Sequence, residues 1–163
     1  MAQQTRIELF KEEMKFSAGH FTIFSAKERE NLHGHNFFVH MEAEAVVLED
    51  GLAFDYGLLK KKILSMCQGL NEVFLLPSRS PHLRLERTAE HVLAFFADER
   101  LVFLNRDVKV LPIRNVTLEE LAGYLLDELL LGWPEASSLG VRRLTLKVFS
   151  GPGQSASAER VLP

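Results

Sequence analysis

Residues 37 to 47 place an apolar side chain at every second position. Phe37, Val39, Met41, Ala43, Ala45 and Val47 alternate with Asn36, Phe38, His40, Glu42, Glu44 and Val46. Successive side chains of a strand point to opposite faces, so this pattern describes a half-buried strand and excludes a helix here. A strand of this length cannot stand alone. It needs neighbours on its edges and a layer over its apolar face.

The preceding segment, from Arg6 to about His20, also reads as extended. Phe10, Met14, Phe16, Ala18 and His20 share one parity, and Glu12 interrupts that face at a bulge. A loop from Phe21 to Leu32 joins the two segments, which predicts an antiparallel pair. His33-Gly34-His35 stands at the entry to the second strand, with both imidazoles on the parity of Phe37. If the segments pair, His20 reaches the same point. Three neutral imidazoles converging there form a three-ligand zinc site with one position open for water or substrate. His-x-His on a strand also fits packing or hydrogen bonding, and spacing alone leaves both readings open. His40 faces the other side and reads as structural.

Two helices follow from the remaining pattern. Asp55 is a candidate N-cap, Leu59, Ile63, Met66 and Leu70 share one helical face, and Gly69 is a plausible stop. Lys60, Lys61 and Lys62 read as a solvated face. A second helix starts at Thr117, where Thr117 and Glu120 fit a capping box, and presents Leu118, Leu121, Ala122, Leu125 and Leu129 before Gly132 and Pro134 end it. Between the helices, His82 to Glu86, His91 to Phe96, Leu101 to Leu104 and Val108 to Ile113 read as short strands, with a turn at Asn105-Arg106-Asp107. Glu90 to Phe96 also fits a helical turn. The last strand runs from Arg143 to Phe149 with Leu144, Leu146 and Val148 inward. The sum is a single α+β domain over residues 1–163, with two helices laid on an antiparallel sheet.

Composition narrows the partners. The chain has 163 residues and a net charge of −3, which leaves no basic footprint for nucleic acid or an anionic membrane. No apolar run is long enough to span a bilayer, and Met1 to Phe10 lacks the pattern of a signal peptide. Cys67 is the single cysteine, so no intrachain disulfide forms and a cytoplasmic setting is expected.

Four stretches in order carry a resemblance: Phe16-Ser17-Ala18-Gly19-His20, His33-Gly34-His35-Asn36-Phe37, Phe54-Asp55-Tyr56 to Lys60, and Thr117-x-Glu119-x-Leu121-Ala122. The chain resembles the 6-pyruvoyl-tetrahydropterin synthase and 6-carboxy-tetrahydropterin synthase family. The match spans most of the chain except about residues 77–114, a β-rich segment similar to an insertion in some members. The resemblance implies the tunnelling fold, with strands pairing between subunits into a barrel and a homohexamer of two stacked trimers. It implies Zn2+ held by His20, His33 and His35. It also implies a phosphate-eliminating carbon–oxygen lyase acting on a reduced pterin such as dihydroneopterin triphosphate, serving biopterin, queuosine or folate synthesis.

The chain departs from the family pattern at three places. The catalytic cysteine of bacterial members aligns with Arg29. One branch carries instead a glutamate three residues before the first histidine of the pair, where Glu30 stands, and that branch releases 6-hydroxymethyl-dihydropterin. Glu30 is thus a candidate base, or one more charge in a polar loop. The family's Asp-His pair aligns with Asn71-Glu72, leaving Glu72 as a candidate proton shuttle, with His82 or His91 as weaker stand-ins. The glutamate that anchors the pterin aligns with Ser150, with Gln154 or Glu159 nearby to compensate; Thr117 and Ser150 are the candidate substrate-binding residues. These departures leave room for an alternative, a zinc-containing pterin-binding homologue without lyase chemistry.

Overall fold

The structure, a computed structural model, describes residues 3–163. Met1 and Ala2, part of the start read above for a leader, lie outside the described residues. The spine is β3 (His33–Val46), whose burial alternates as the sequence pattern requires: Phe37, Val39, Met41, Ala43 and Ala45 are buried. Along one edge it pairs with β1 (Gln4–Leu9) and β2 (Lys15–His20). Along the other it pairs with β9 (Val141–Phe149), which pairs in turn with β10 (Ser155–Val161). All four pairings are antiparallel.

The segment from Arg6 to His20 is two strands, and the expected bulge at Glu12 is a full break. The Met14 N–H donates to the Lys11 carbonyl at 2.9 Å, and the Met14 carbonyl accepts from the Val39 N–H at 2.9 Å. Met14 is thereby buried while Glu12 points outward. A turn removes the carboxylate from the core face, where it would have no partner.

Two further strands extend the sheet past β2. β4 (Val73–Pro77) pairs parallel with β2, and β8 (Val108–Leu111) pairs parallel with β4. The antiparallel expectation thus holds for one part of the sheet and not for this edge. Parallel neighbours need a crossover. One is supplied by α1 (Tyr56–Leu70), the other by an excursion through β5 (Arg84–Arg87), β6 (His91–Phe96) and β7 (Glu99–Leu104). That excursion is a separate antiparallel sheet, and Glu90 to Phe96 contributes a strand to it rather than a helical turn.

The two helices cover the apolar face of the main sheet. The Asp55 side chain caps α1 by accepting from the Gly57 N–H at 2.8 Å. Its buried face is Leu59, Ile63, Cys67 and Leu70, with Met66 only partly buried, and it runs past Gly69 to Leu70. Thr117 caps α2 (Leu118–Leu131) by accepting from the Glu120 N–H at 3.4 Å. The return half of the expected capping box is absent among the described residues. The Glu120 carboxylate accepts instead from the Arg114 N–H at 2.8 Å and from its guanidinium. Leu121, Leu125 and Leu129 of α2 meet Val141, Leu144, Leu146 and Val148 of β9 in one core. Each such fully buried aliphatic side chain stabilises the fold by about 1.5–3 kcal/mol. A second core joins Val92, Ala94 and Phe96 of β6 to Phe21, Ile23, Leu76 and Val108. The small sheet therefore packs on the loop between β2 and β3. No helix among the described residues is long and apolar enough to cross a membrane.

Candidate metal centre and its cavity

His20 ends β2 and His33 begins β3, and the register sets them directly opposite one another. Cross-strand partners share a face, so His33, His35 and His20 point to the same side. Their ring centroids stand 4.5 Å apart for His20 and His33, 5.1 Å for His20 and His35, and 4.9 Å for His33 and His35. One ring nitrogen of each lies within 4.8 Å of those of the other two. Phe37 forms the floor, with its ring edge-on to His20 and His35 at 5.6 Å.

The backbone assigns the free nitrogens. His20 Nδ1 lies 2.9 Å from the Val116 carbonyl, and His33 Nδ1 lies 2.7 Å from the Asn31 carbonyl. A carbonyl oxygen only accepts, so Nδ1 carries the hydrogen in both rings and the lone pair sits at Nε2. His20 Nε2 is buried and has no hydrogen-bond partner among the described residues. Burial holds His20 below its ordinary pKa, opposed by the Val116 bond and reinforced by His33 and His35. Burial and then His33 do the same to His35. Two imidazoles held below their ordinary pKa, two tautomers fixed by backbone carbonyls and an orphaned buried lone pair on His20 match what a zinc ligand set requires. The donor set fits zinc.

The histidines line a cavity of about 210 Å³ together with Thr22, Glu30, Thr117, Glu119, Ser150 and Gln154. Glu30 comes from a tight loop in which its N–H donates to the Thr22 carbonyl at 2.9 Å, and its Oε2 accepts from the Thr22 N–H at 2.9 Å. This places Oε2 at 3.8 Å from His33 Nε2. Burial pushes the Glu30 carboxyl up, but hydrogen bonding from Thr22 and the nearby His33 and His20 outweigh it and hold it below the usual carboxylate range. Thr117 reaches the cavity from the cap of α2. Ser150 and Gln154 reach it from the turn between β9 and β10, where their side chains lie 3.2 Å apart. That turn uses Gly151 and Gly153 at φ 136° and 83°.

Glu72 is not in this cavity. The parallel register that sets Ala18 beside Val73 places Glu72 next to Ser17, whose carbonyl accepts the Glu72 N–H at 2.7 Å. It lines a separate depression with Gly19, Gly34 and Phe74. His82 lines a depression that adjoins the cavity through Thr117 and Glu119, and His91 lies on β6. Sequence reasoning did not single out Thr22, whose part depends on the folding of its loop. Glu119 and Gln154 stood within quoted motifs but were given no certain part. A second cluster, Glu8, His40 and Glu42, sits on the other face of the sheet. There His40 Nε2 lies 3.4 Å from Glu8 Oε2, and the Glu42 carboxylate is paired with Arg6 at 3.6 Å.

Comparison with known proteins matches the chain and its fold to one family. The family model for 6-pyruvoyl tetrahydropterin synthase matches residues 9–160. A protein of Methanocaldococcus jannaschii, provisionally named a 6-carboxy-5,6,7,8-tetrahydropterin synthase, is 23% identical over 91% of either chain. The solved 6-pyruvoyl tetrahydropterin synthase of Plasmodium vivax is 27% identical, with a TM-score of 0.93 over 98% of this chain and 99% of its own. That of Plasmodium falciparum is 26% identical, with a TM-score of 0.92 over the same shares. Two further structures of the Plasmodium vivax enzyme replace a glutamate, described as a catalytic residue, by cysteine and by alanine. A mixed sheet under two helices, a match over nearly the whole chain and structural agreement at this level have one reading: the chain belongs to the 6-pyruvoyl tetrahydropterin synthase family.

Proposed function

We propose that this tetrahydropterin synthase-type enzyme is a zinc-dependent lyase that cleaves the side chain of dihydroneopterin triphosphate to release 6-hydroxymethyl-dihydropterin. The observation that carries the reading is Glu30, whose carboxylate opens onto the histidine cavity with Oε2 3.8 Å from His33 Nε2. The catalytic glutamate of the Plasmodium vivax enzyme supports the same role for a carboxylate.

His20, His33 and His35 would hold the zinc through Nε2 of the first two and one ring nitrogen of the third. When bound there, zinc supplies Lewis-acid polarisation of the substrate's side-chain hydroxyls. Glu30 is ionised at neutral pH, with Oε2 occupied by the Thr22 N–H. Its Oε1 is the atom that takes a hydroxyl proton. Loss of the proton from the hydroxyl on the second side-chain carbon lets the bond to the first carbon break. The second carbon leaves as an aldehyde that keeps the triphosphate, and the electron pair is taken up through the ring C=N. The same carboxyl returns its proton to the first carbon, which stays on the ring as the hydroxymethyl group. Thr117, Ser150 and Gln154 offer polar contacts to the pterin. Ser150 is a weaker anchor than a carboxylate, since one hydroxyl cannot accept two hydrogen bonds side by side as a carboxylate can.

The assembly proposed with this chemistry is a homohexamer of two trimers, supported by a main sheet that, among the described residues, ends in the unpaired edges of β10 and β8. The buried, unpaired Cys67 supports a reducing, cytoplasmic setting. Light scattering giving a native mass near six chains would support the assembly, and a monomeric mass would sink it.

The test of function is a product assay by mass spectrometry on zinc-loaded protein with dihydroneopterin triphosphate. Release of 6-hydroxymethyl-dihydropterin supports the proposal, while a 6-pyruvoyl or 6-carboxy product overturns the assignment of the reaction. A second reading, a pterin-binding homologue without lyase chemistry, rests on Asn71-Glu72 and Ser150 standing where the resemblance expects an Asp-His pair and a pterin-anchoring glutamate. Tight pterin binding with no product would support it.

A further inference from the structure

Arg29 occupies the position where bacterial relatives of the resemblance carry a cysteine, yet its side chain does not enter the histidine cavity. It turns away, toward the small sheet. Its guanidinium lies 5.2 Å from the Phe21 ring centroid and 5.9 Å from that of Phe96. Nε donates to Glu99 Oε2 at 2.7 Å, and Nη2 is also in contact with that oxygen. The third nitrogen, Nη1, donates to the carbonyl of Glu30 at 2.8 Å. Only 14% of the side chain is exposed. Every nitrogen of the group is therefore committed, two to the β6–β7 hairpin and one to the backbone of the cavity carboxylate.

The surroundings make this contact directional. Ile23 and Arg29 form an antiparallel bridge, so the loop from Phe21 to Leu32 closes on itself just where Glu30 begins. Phe21 and Ile23 pack on Val92, Ala94 and Phe96 of the small sheet. Glu30 accepts from Thr22 on one side, and its carbonyl is held by Arg29 on the other. A planar guanidinium can make both sets of contacts at once, whereas an ammonium on a flexible stem cannot hold two partners in fixed directions.

We infer that Arg29 is a positioning residue: bound to Glu99 and within cation–π range of Phe21 and Phe96, it couples the β5–β7 sheet to the loop that aims the Glu30 carboxylate into the histidine cavity. The inference rests on the proposed role of Glu30. It gives the added sheet a function, to hold a catalytic carboxylate without touching substrate.

The test uses the full-length zinc-loaded protein and its Arg29→Met, Arg29→Lys and Glu99→Gln variants. Two quantities are read: steady-state kinetics on dihydroneopterin triphosphate, and hydrogen exchange at the Thr22 amide, which reports its bond to Glu30. Arg29→Met lowers kcat about 10- to 100-fold with KM within about twofold, the size of effect that a small misplacement of a catalytic group produces. The Thr22 amide exchanges at least about tenfold faster, while the Val92 and Ala94 amides keep their wild-type rates. Arg29→Lys falls between. Adding Arg29→Met to Glu30→Gln costs no further activity, because both act through one carboxylate. Wild-type kcat in Arg29→Met, or an unchanged Thr22 amide, overturns the inference. So does faster exchange spread evenly over β6, which marks a purely structural part. Where Arg29→Met does not fold, Glu99→Gln decides, since Glu99 is half-exposed on the hairpin. Unchanged Thr22 exchange there overturns the coupling. If the wild-type protein has no turnover, the functional reading fails while the exchange experiment still decides the coupling.

Discussion

The Nδ1 of His20 lies 2.9 Å from the carbonyl oxygen of Val116, a residue 96 positions further along the chain. Val116 precedes the cap of α2, so the approach to that helix sets the tautomer of a β2 histidine. The backbone here acts as the outer partner that a metal-ligating imidazole needs. His33 obtains the same service locally from Asn31. His33→Ala keeps the fold, since the side chain is only half-buried, and removes one of three ligands. The expected result is loss of stoichiometric zinc on dialysis, read by elemental analysis, together with loss of turnover. A variant that still carries one zinc per chain would end the ligand assignment.

Glu30 separates chemistry from metal binding. Its carboxylate touches the cluster only at 3.8 Å from His33 and is held by the Thr22 N–H. Glu30→Ala is expected to lower kcat by about 10²–10⁴, the range for removing a general acid–base group. Zinc content stays at the wild-type level. Activity near wild type would remove Glu30 from the mechanism, and lost zinc would make it a ligand.

What the sequence made legible follows from which contacts are local. The alternation in β3 and the helical faces of α1 and α2 were readable because each element has one buried side and a fixed period. The break at Glu12 was visible as a defect but not as a turn. β4 was not readable, because Val73-Phe-Leu-Leu-Pro is apolar without alternation, and β10 was not, because Ser155 to Val161 is an exposed edge with few apolar residues. At the site, parity on two strands brought three histidines to one face, whereas Glu72 is placed by a parallel pairing that no local pattern announces. The contact of Arg29 with Glu99 spans 70 residues and is invisible to any local reading.

Gly19 is a packing requirement next to His20. A Cβ there would stand 2.4 Å from Cδ2 and 2.9 Å from Cε2 of Phe74, its cross-strand neighbour. That ring cannot swing freely, because it stacks on Phe103 with centroids 4.8 Å apart. Gly19→Ala is expected to destabilise by about 1–3 kcal/mol, as overpacking does. Urea titration should show a lower midpoint with an unchanged slope. In a Phe74→Leu background the same change should cost less, since the blocking ring is gone. Equal costs in both backgrounds would mean that Phe74 is not the obstacle.

Cys67 gives a pH dependence with a defined sign. It sits on the core face of α1 with Leu59, Ile63 and Leu70, and burial pushes its thiol from 9.0 to about 12. The folded pKa is raised, so the unfolded chain releases the proton first as pH rises. The contribution is intact below about pH 9 and is lost between there and about pH 12. Its slope is at most about 1.4 kcal/mol per pH unit. Lysine and tyrosine titrations also act in this range, but they are shared with Cys67→Ala and cancel in the comparison. Wild type should exceed Cys67→Ala in stability at pH 8, through the volume that the sulfur fills. That advantage should shrink steadily from pH 9 to pH 11 in urea unfolding at fixed protein concentration. A constant gap over this range would show that the thiol ionises equally in both states and that the α1 core face admits water.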